Sequence, residues 1–162
     1  KKKYKNLLTI IIPRHIERTN VILNQLNKLN LKTQTYEQHK NIQKDTDIYI
    51  VNSYGKTKSF YNNCQNVFLG GSLINHGGQN PLEAARFGCN ILHGPNIENF
   101  NEIYNFLKTN QISTKINDHK SAINKLNKLF IKKSSSQKIQ KKISLIGERI
   151  LQKTYKEINL TL

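Results

Sequence analysis

Acidic residues are scarce in this chain. Ten Asp and Glu stand against 26 Lys and Arg, a formal charge of +16 over 162 residues, and the pI is near 9.9. So one-sided a field fits three kinds of partner: nucleic acid, an anionic membrane surface, or small anionic substrates. Cysteine is equally sparse. Cys64 and Cys89 lie far apart and outside any metal or redox spacing, which excludes a disulfide framework and a zinc site and points to a reduced, cytosolic setting. No signal peptide opens the sequence, and no apolar run is long enough to cross a bilayer. The aromatics form no RNP-like pattern and no zinc-finger spacing occurs, so no motif supports nucleic acid as the partner. Apolar content of 36% and a mean hydropathy of −0.61 are low for a compact domain but above the disordered range. The length allows one domain with a sizeable core, or one lobe of a larger enzyme.

Glycine too is infrequent, eight in all, yet six of the eight fall between Gly70 and Gly94. That concentration marks the stretch around which the chain is organised, NVFLGGSLINHGGQNPLEAARFGCNILHGP, from Asn66 to Pro95. Val67 to Leu69 reads as a buried strand running into Gly70-Gly71-Ser72, and a second pair, Gly77-Gly78, precedes Asn80-Pro81-Leu82-Glu83. The last four predict a helix start, with Asn80 as N-cap, Pro81 at the first helical position and Glu83 reaching back to the cap's N–H. Gly88 suits the left-handed residue that ends such a helix, Ile91-Leu92 reads as the next strand, and Gly94-Pro95 turns the chain. Glycine admits close approach of backbone to a ligand, and helix-start N–H groups attract anions. Tight turns and a simple cap would explain the same residues equally well. The spacing is neither the dinucleotide G-x-G-x-x-G nor the P-loop G-x-x-x-x-G-K-S/T, so neither mechanism transfers.

The rest of the chain alternates strand and helix. Leu7 to Ile12 is a continuous, β-branched apolar run expected to be buried on both faces. From Ile16, apolar residues at Val21, Ile22, Leu26 and Leu29 recur at helical spacing. Leu31 to Tyr36 is a short strand candidate, Gln38 to Lys44 a polar loop, Asp47 to Val51 another buried strand, and a helix follows through Tyr61. Helices are expected again over 99–107 and 116–131. The run from Lys132 to Ser136 breaks the pattern, and an amphipathic helix resumes at Ile139 and runs to Leu151. This order predicts an α/β fold: a Rossmann-like parallel sheet with helices on both faces, organised as one domain over 1–162 with C-terminal helices at about 117–157.

In a parallel sheet the loops leaving the strands' C-terminal ends share one edge. Three such junctions carry polar or glycine residues. The first is Pro13-Arg14-His15-Ile16-Glu17-Arg18, where Arg14 and Arg18 can grip a phosphate or carboxylate in fork geometry. In so basic a chain they could equally be solvated. His15 offers a base, a phosphate donor or a structural hydrogen bond. The second is Asn52-Ser53-Tyr54-Gly55-Lys56, and the third is the central loop.

The run GGSLINHGGQNPLEAARFG followed by GPNIENF resembles the Kdo transferases (3-deoxy-D-manno-octulosonate transferases), in which the segment reads GGS, then GGHNPLE, then GP with a downstream NF. The first junction matches the family's PRHPER at Pro13, Arg14, His15, Glu17 and Arg18 and carries Ile16 for the second proline. The second departs from the family's D-T-x-G-E, with Asn52 for the Asp and Lys56 for the Glu, while Ser53 and Gly55 are kept. The resemblance covers only the C-terminal half of such an enzyme. It implies the C-terminal, donor-binding lobe of a GT-B glycosyltransferase, with the N-terminal lobe, its membrane anchor and its general-base carboxylate lying outside this sequence.

By the same resemblance, Pro13, Arg14, Ser53, Tyr54, Gly55, Asn80, Pro81, Leu82 and Glu83 bind the CMP portion of CMP-Kdo, with Glu83 accepting from ribose hydroxyls. His15, Arg18, Gly71 and Ser72 are further candidates, the last two facing the interlobe cleft. His76 is expected on the surface, and Phe100, with Asn99 the counterpart of the family's NF, in the core. The resemblance implies no metal and no cofactor beyond the donor, a lipid A precursor (lipid IVA) as acceptor, and a place at the cytoplasmic face of the inner membrane of a lipopolysaccharide-making bacterium. Two other readings stay open: a GT-B lobe for another nucleotide-sugar, such as a UDP-sugar transferase or epimerase, and a non-enzymatic basic module that binds polyanions.

Overall fold

In the computed structural model, residues 4–131 and 135–160 are described. Six short strands form two three-stranded parallel sheets, and the chain divides into two compact units, Lys1–Thr57 and Lys58–Leu162.

The first unit is built on β1 (Thr9–Ile11), β2 (Thr33–Thr35) and β3 (Ile48–Ile50), with α1 (Thr19–Asn27) between the first two strands. β3 lies in the middle, in the order β1-β3-β2. It is the strand whose sequence is apolar throughout, and Ile48, Tyr49, Ile50 and the following Val51 are all buried, as a strand covered on both faces requires. A 3-10 turn, Ile16–Arg18, leads into α1 and is closed by the Thr19 hydroxyl, which donates to the Ile16 carbonyl at 2.6 Å. The polar loop after β2 is laced by Gln34: its side-chain oxygen accepts from the Gln43 N–H (2.9 Å) and the Thr46 hydroxyl (3.1 Å), and its amide donates to the Asn41 carbonyl (3.1 Å).

The second unit begins with α2, which starts at the boundary (Thr57–Tyr61), followed by β4 (Asn66–Leu69), α3 (Leu82–Arg86), β5 (Asn90–His93), α4 (Asn101–Thr109), β6 (Ser113–Lys115), α5 (His119–Ile131) and α6 (Ser136–Asn159). The strands order as β4-β5-β6. Leu69, Ala84, Ala85, Cys89, Ile91, Tyr104, Leu107, Ile112 and Ile139 make its core. Ala84 and Ala85 are fully buried, so α3 lies close against β5 with nothing larger than a methyl between. β6 has no counterpart in the hydrophobic pattern: Ser113-Thr114-Lys115 has no apolar residue, and the strand forms because its edge pairs with β5.

Gly88 ends α3 as the sequence predicts, at φ +79°. Its own N–H reaches the Ala85 carbonyl (2.9 Å) and the Cys89 N–H reaches Ala84 (3.1 Å), the paired bonds of a Schellman cap. A Cβ on Gly88 would stand 2.4 Å from the Ser136 carbonyl oxygen, because α6 begins directly against it. There Gln140 donates to the Phe87 carbonyl (3.0 Å) and Lys142 to the Asn110 carbonyl (3.0 Å). Ile139 is buried in this contact, whereas residues 147–160 are all exposed. Of the predicted break at Lys132 to Ser136, positions 132–134 lie outside the described residues. α5 is opened by Asp118 and Ser121, whose side chains each accept from the other end of the turn.

Candidate functional site

In the first unit, β1 and β3 pair with Ile11 level with Ile50, so the residues just beyond both strands emerge on one edge. Pro13 is half-buried at the strand's exit, and Arg14, His15, Glu17 and Arg18 are exposed. From β3 the chain passes through Asn52 and Ser53 to exposed Tyr54, and turns at Gly55 with φ +73°, where only glycine sits without strain. The two junctions meet: the Tyr54 hydroxyl donates to the Glu17 carboxylate at 3.4 Å. Lys56 stands over the Tyr36 ring, 5.7 Å from its centroid. The first unit thus carries Arg14, Arg18, Tyr54 and Lys56 on the two junctions that leave its sheet at the C-terminal edge, residue types able to hold a phosphate.

In the second unit, the loop leaving β4 is fastened to the segment after β5 at four places. Ser72 is fully buried. Its hydroxyl donates to the Leu69 carbonyl (2.7 Å) and accepts from the Gly94 N–H (2.8 Å), while its carbonyl accepts from the Asn96 N–H at 2.9 Å. Gly94 touches it so closely that a Cβ would fall 2.0 Å from the Ser72 carbonyl oxygen. Gly77 lies under Asn99, whose amide would meet a Cβ at 2.3 Å. Finally the Tyr104 hydroxyl donates to the Gln79 carbonyl at 2.9 Å. Gly71, Gly77 and Gly78 all take positive φ along this path. Gly78 and Gly94 thus come close to other backbone of the same unit and Gly77 to the Asn99 side chain, while Gly70 and Gly71 meet no such neighbour and serve the turn alone.

Asn80 and Glu83 divide the capping differently from the predicted box. The Asn80 side chain accepts the Leu82 N–H at 3.0 Å, as a cap should. Pro81 is buried and its carbonyl takes the first helical bond, from Ala85 at 3.0 Å. Glu83 does not reach back to Asn80. Its carboxylate instead faces Lys58 at 3.6 Å, with both side chains substantially exposed. Such a pair is worth about 0–1 kcal/mol, so the carboxylate remains able to exchange partners. α3 spans five residues and its leading N–H is already bonded, which leaves little of the anion-attracting helix start that the sequence predicts. His76 is exposed and Phe100 half-buried against the core.

Beneath this loop lie two groups the sequence reading passes over. Tyr104 and His93 are 1% and 3% exposed, with rings 4.3 Å apart. The His93 Nδ1 is 2.7 Å from the Gly94 carbonyl, a partner that only accepts, so Nδ1 carries the proton. Nε2 is left buried without a hydrogen-bond partner. Burial pushes the His93 pKa down, and the charges of Lys115 and Lys108 act in the same direction against the Gly94 bond. Burial raises the Tyr104 phenol well above its ordinary value, and it pushes Tyr61 to about 12, with the Glu83 charge adding to it. All three rings are therefore neutral near pH 7. Tyr104 falls on the apolar stripe of α4, which is why the pattern marks it only as core; Lys58 and His93 carry no sequence signal.

The candidates thus fall in two sets. Pro13, Arg14, His15, Arg18, Ser53, Tyr54 and Gly55 belong to the first unit, and Gly71, Ser72, Asn80, Pro81, Leu82 and Glu83 to the second. Among the described residues no three His, Cys, Asp or Glu side chains are grouped as metal ligands would be, and no helix is long and apolar enough to cross a membrane.

No protein-family model matches the chain. It is 33% identical over 121 residues to the 3-deoxy-D-manno-octulosonic acid transferase of Haemophilus influenzae, covering 75% of this chain and 28% of that protein. It is 27% identical over 130 residues to the transferase of the same name from Aquifex aeolicus, covering 80% and 35%. A bifunctional glycosyltransferase/methyltransferase of Fusobacterium nucleatum is 26% identical over 143 residues, covering 85% and 22%. The chain therefore spans about a third or less of the length of these relatives. Among solved structures, the C-terminal CMP-Kdo binding domain of WaaA from Acinetobacter baumannii superposes with a TM-score of 0.80 at 23% identity, covering 90% of this chain and 76% of that one. That likeness establishes the fold: α/β with parallel strands and a helical C-terminus.

Proposed function

We propose that this chain, similar over three quarters or more of its length to Kdo transferases, is the donor-binding lobe of such an enzyme and binds CMP-Kdo. Arg14 takes the phosphate in fork geometry, beside Pro13 and the turn Ser53-Tyr54-Gly55. Asn80, Leu82 and Glu83 line the nucleotide, with fully buried Pro81 seating the turn between them, and Glu83 accepts from ribose hydroxyls. His15, Arg18 and the Gly71-Ser72 turn border the site. Within that turn Gly71 is the accessible residue; Ser72 is fully buried, with its hydroxyl and carbonyl both engaged within the protein.

The reaction is an inverting transfer. A hydroxyl oxygen of a lipid A precursor, lipid IVA, attacks the anomeric carbon of Kdo. The bond from that carbon to the phosphate oxygen breaks, CMP leaves with the electron pair, and a carboxylate base takes the hydroxyl proton. In this reading the base belongs to an N-terminal lobe outside the chain, so the chain alone binds donor without turning it over. Positive side chains hold the departing phosphate, and neither metal nor cofactor takes part. The work is done at the cytoplasmic face of the inner membrane, whose anionic surface suits the charge of +16.

The observation that carries the reading is the pairing of the family-like sequence with a Gln79–Glu83 loop that is tied by hydrogen bonds and leaves the Glu83 carboxylate accessible. Calorimetric titration of CMP, with UMP and a short oligonucleotide as controls, tests it. CMP should bind in preference to UMP, and Arg14→Ala and Glu83→Ala should each weaken it by about 1–3 kcal/mol, as lost charged hydrogen bonds do. Binding of the oligonucleotide without CMP would favour the polyanion module that the charge allows.

A further inference from the structure

Tyr104 and His93 do more than fill the core. Each ring sends one polar atom to a different loop: the Tyr104 hydroxyl to the carbonyl of Gln79, immediately before Asn80-Pro81-Leu82-Glu83, and the His93 Nδ1 to the carbonyl of Gly94, just past β5. Gly94 in turn is bonded to Ser72 in the first loop. The two rings are in contact at 4.3 Å and lie on separate elements, α4 and β5. An apolar residue at 93 would suit this core better than a histidine with a stranded Nε2, since an unmet buried polar atom costs about 1–3 kcal/mol. What histidine adds is the Nδ1 bond. Phenylalanine at 104 would likewise fill the same space without the hydroxyl.

We propose that Tyr104, braced on His93, is a positioning residue for the nucleotide site: its hydroxyl fixes the Gln79 carbonyl and so sets the place of Asn80 and Glu83. The proposal rests on the donor-binding reading above. Tyr104 touches no ligand. It acts through the backbone of residue 79, and its effect should appear in the loop's mobility and in nucleotide affinity, not in general stability.

The test is Tyr104→Phe, which keeps the ring on His93 and removes only the hydroxyl. Hydrogen exchange of the free chain and CMP titration are both measured, with thermal unfolding as the reference. The amides of Gln79, Asn80, Leu82 and Glu83 should exchange about fivefold faster and the CMP dissociation constant should rise about fivefold, the factor for one net hydrogen bond, while β5 and α4 keep their protection. His93→Leu, which leaves the hydroxyl but replaces the ring beneath it, should loosen the same loop by less. Unchanged exchange at 79–83 overturns the proposal. So does loosening of β5, α4 and the loop alike, or failure of Tyr104→Phe to fold, since either makes the hydroxyl a part of general packing. If the unaltered chain takes no CMP, the donor-binding reading falls, and the exchange measurement alone decides whether Tyr104 holds the loop.

Discussion

Gly94→Ala should be among the most damaging single-methyl changes in this chain. The new Cβ would lie 2.0 Å from the Ser72 carbonyl oxygen, 2.3 Å from the Ser72 carbonyl carbon and 2.6 Å from the Leu73 nitrogen. All three are backbone atoms, so no side-chain rotation relieves the clash, and ordinary contact requires more than an ångström of further separation. The two loops must part. In parting they stretch the Gly94 N–H to Ser72 hydroxyl bond and the Asn96 N–H to Ser72 carbonyl bond, both under 3 Å. Overpacking of this kind costs about 1–3 kcal/mol, and the two bonds contribute about 1 kcal/mol each. The total, about 3–5 kcal/mol, is a large part of the ~5–15 kcal/mol that holds a typical domain folded. Urea denaturation followed by far-UV circular dichroism measures it, with Gly147→Ala as the control. Gly147 sits in exposed helix with nothing within 4 Å of its absent Cβ, so alanine there should gain about 0.5–1 kcal/mol. A cost below 1 kcal/mol for Gly94→Ala would refute the reasoning, because the loops would then have slack that the contacts deny.

Ser72→Ala strands the buried Gly94 N–H and the Leu69 carbonyl and should lower stability by about 1–3 kcal/mol in the same denaturation assay, without altering the slope. Lys58→Ala removes an exposed partner of Glu83 and should change stability by less than about 1 kcal/mol. Acid should weaken the fold through His93. Its pKa in the folded chain is below the ordinary 6.5, so the unfolded chain binds the proton more readily, and stability present above pH 6.5 is lost as pH falls toward the folded value. Lys108 and Lys115 add to the cost of the imidazolium. Thermal unfolding between pH 7 and 5 should show this slope, and His93→Leu should flatten it.

The long apolar runs were the most legible part of the fold. Leu7 to Ile12 and Asp47 to Val51 contain β1 and β3; the central β3 is buried as its unbroken apolar record predicts, whereas β1, expected to be buried on both faces, is an edge strand of half-buried and exposed residues because only one neighbour covers it. Gly88 was legible for a local reason, since a left-handed helix terminus nearly demands glycine. β6 was not, because Ser113-Thr114-Lys115 is a strand by virtue of its neighbour alone. Glu83 shows the limit for side chains: the tetrapeptide predicts a reciprocal cap, but Lys58, 25 positions earlier in the chain, offers an opposite charge at 3.6 Å that local spacing cannot reveal. The tie from Tyr104 to Gln79 is hidden in the same way, since it spans 25 positions and a tyrosine on an apolar stripe looks like any other core residue.

The links from Ser72, Gly77 and Gln79 to the segment 94–104 also bear on the order in which the molecule assembles. None joins near neighbours: Ser72 and Gly94 are 22 positions apart, and Gln79 and Tyr104 are 25. Parallel strands cannot zip from a tight turn, so β5 must find β4 across the whole intervening loop and helix before any of these links can close. Renaturation should therefore show β4–β5 pairing first and the glycine loop, with the proposed Gln79–Glu83 donor contacts, last.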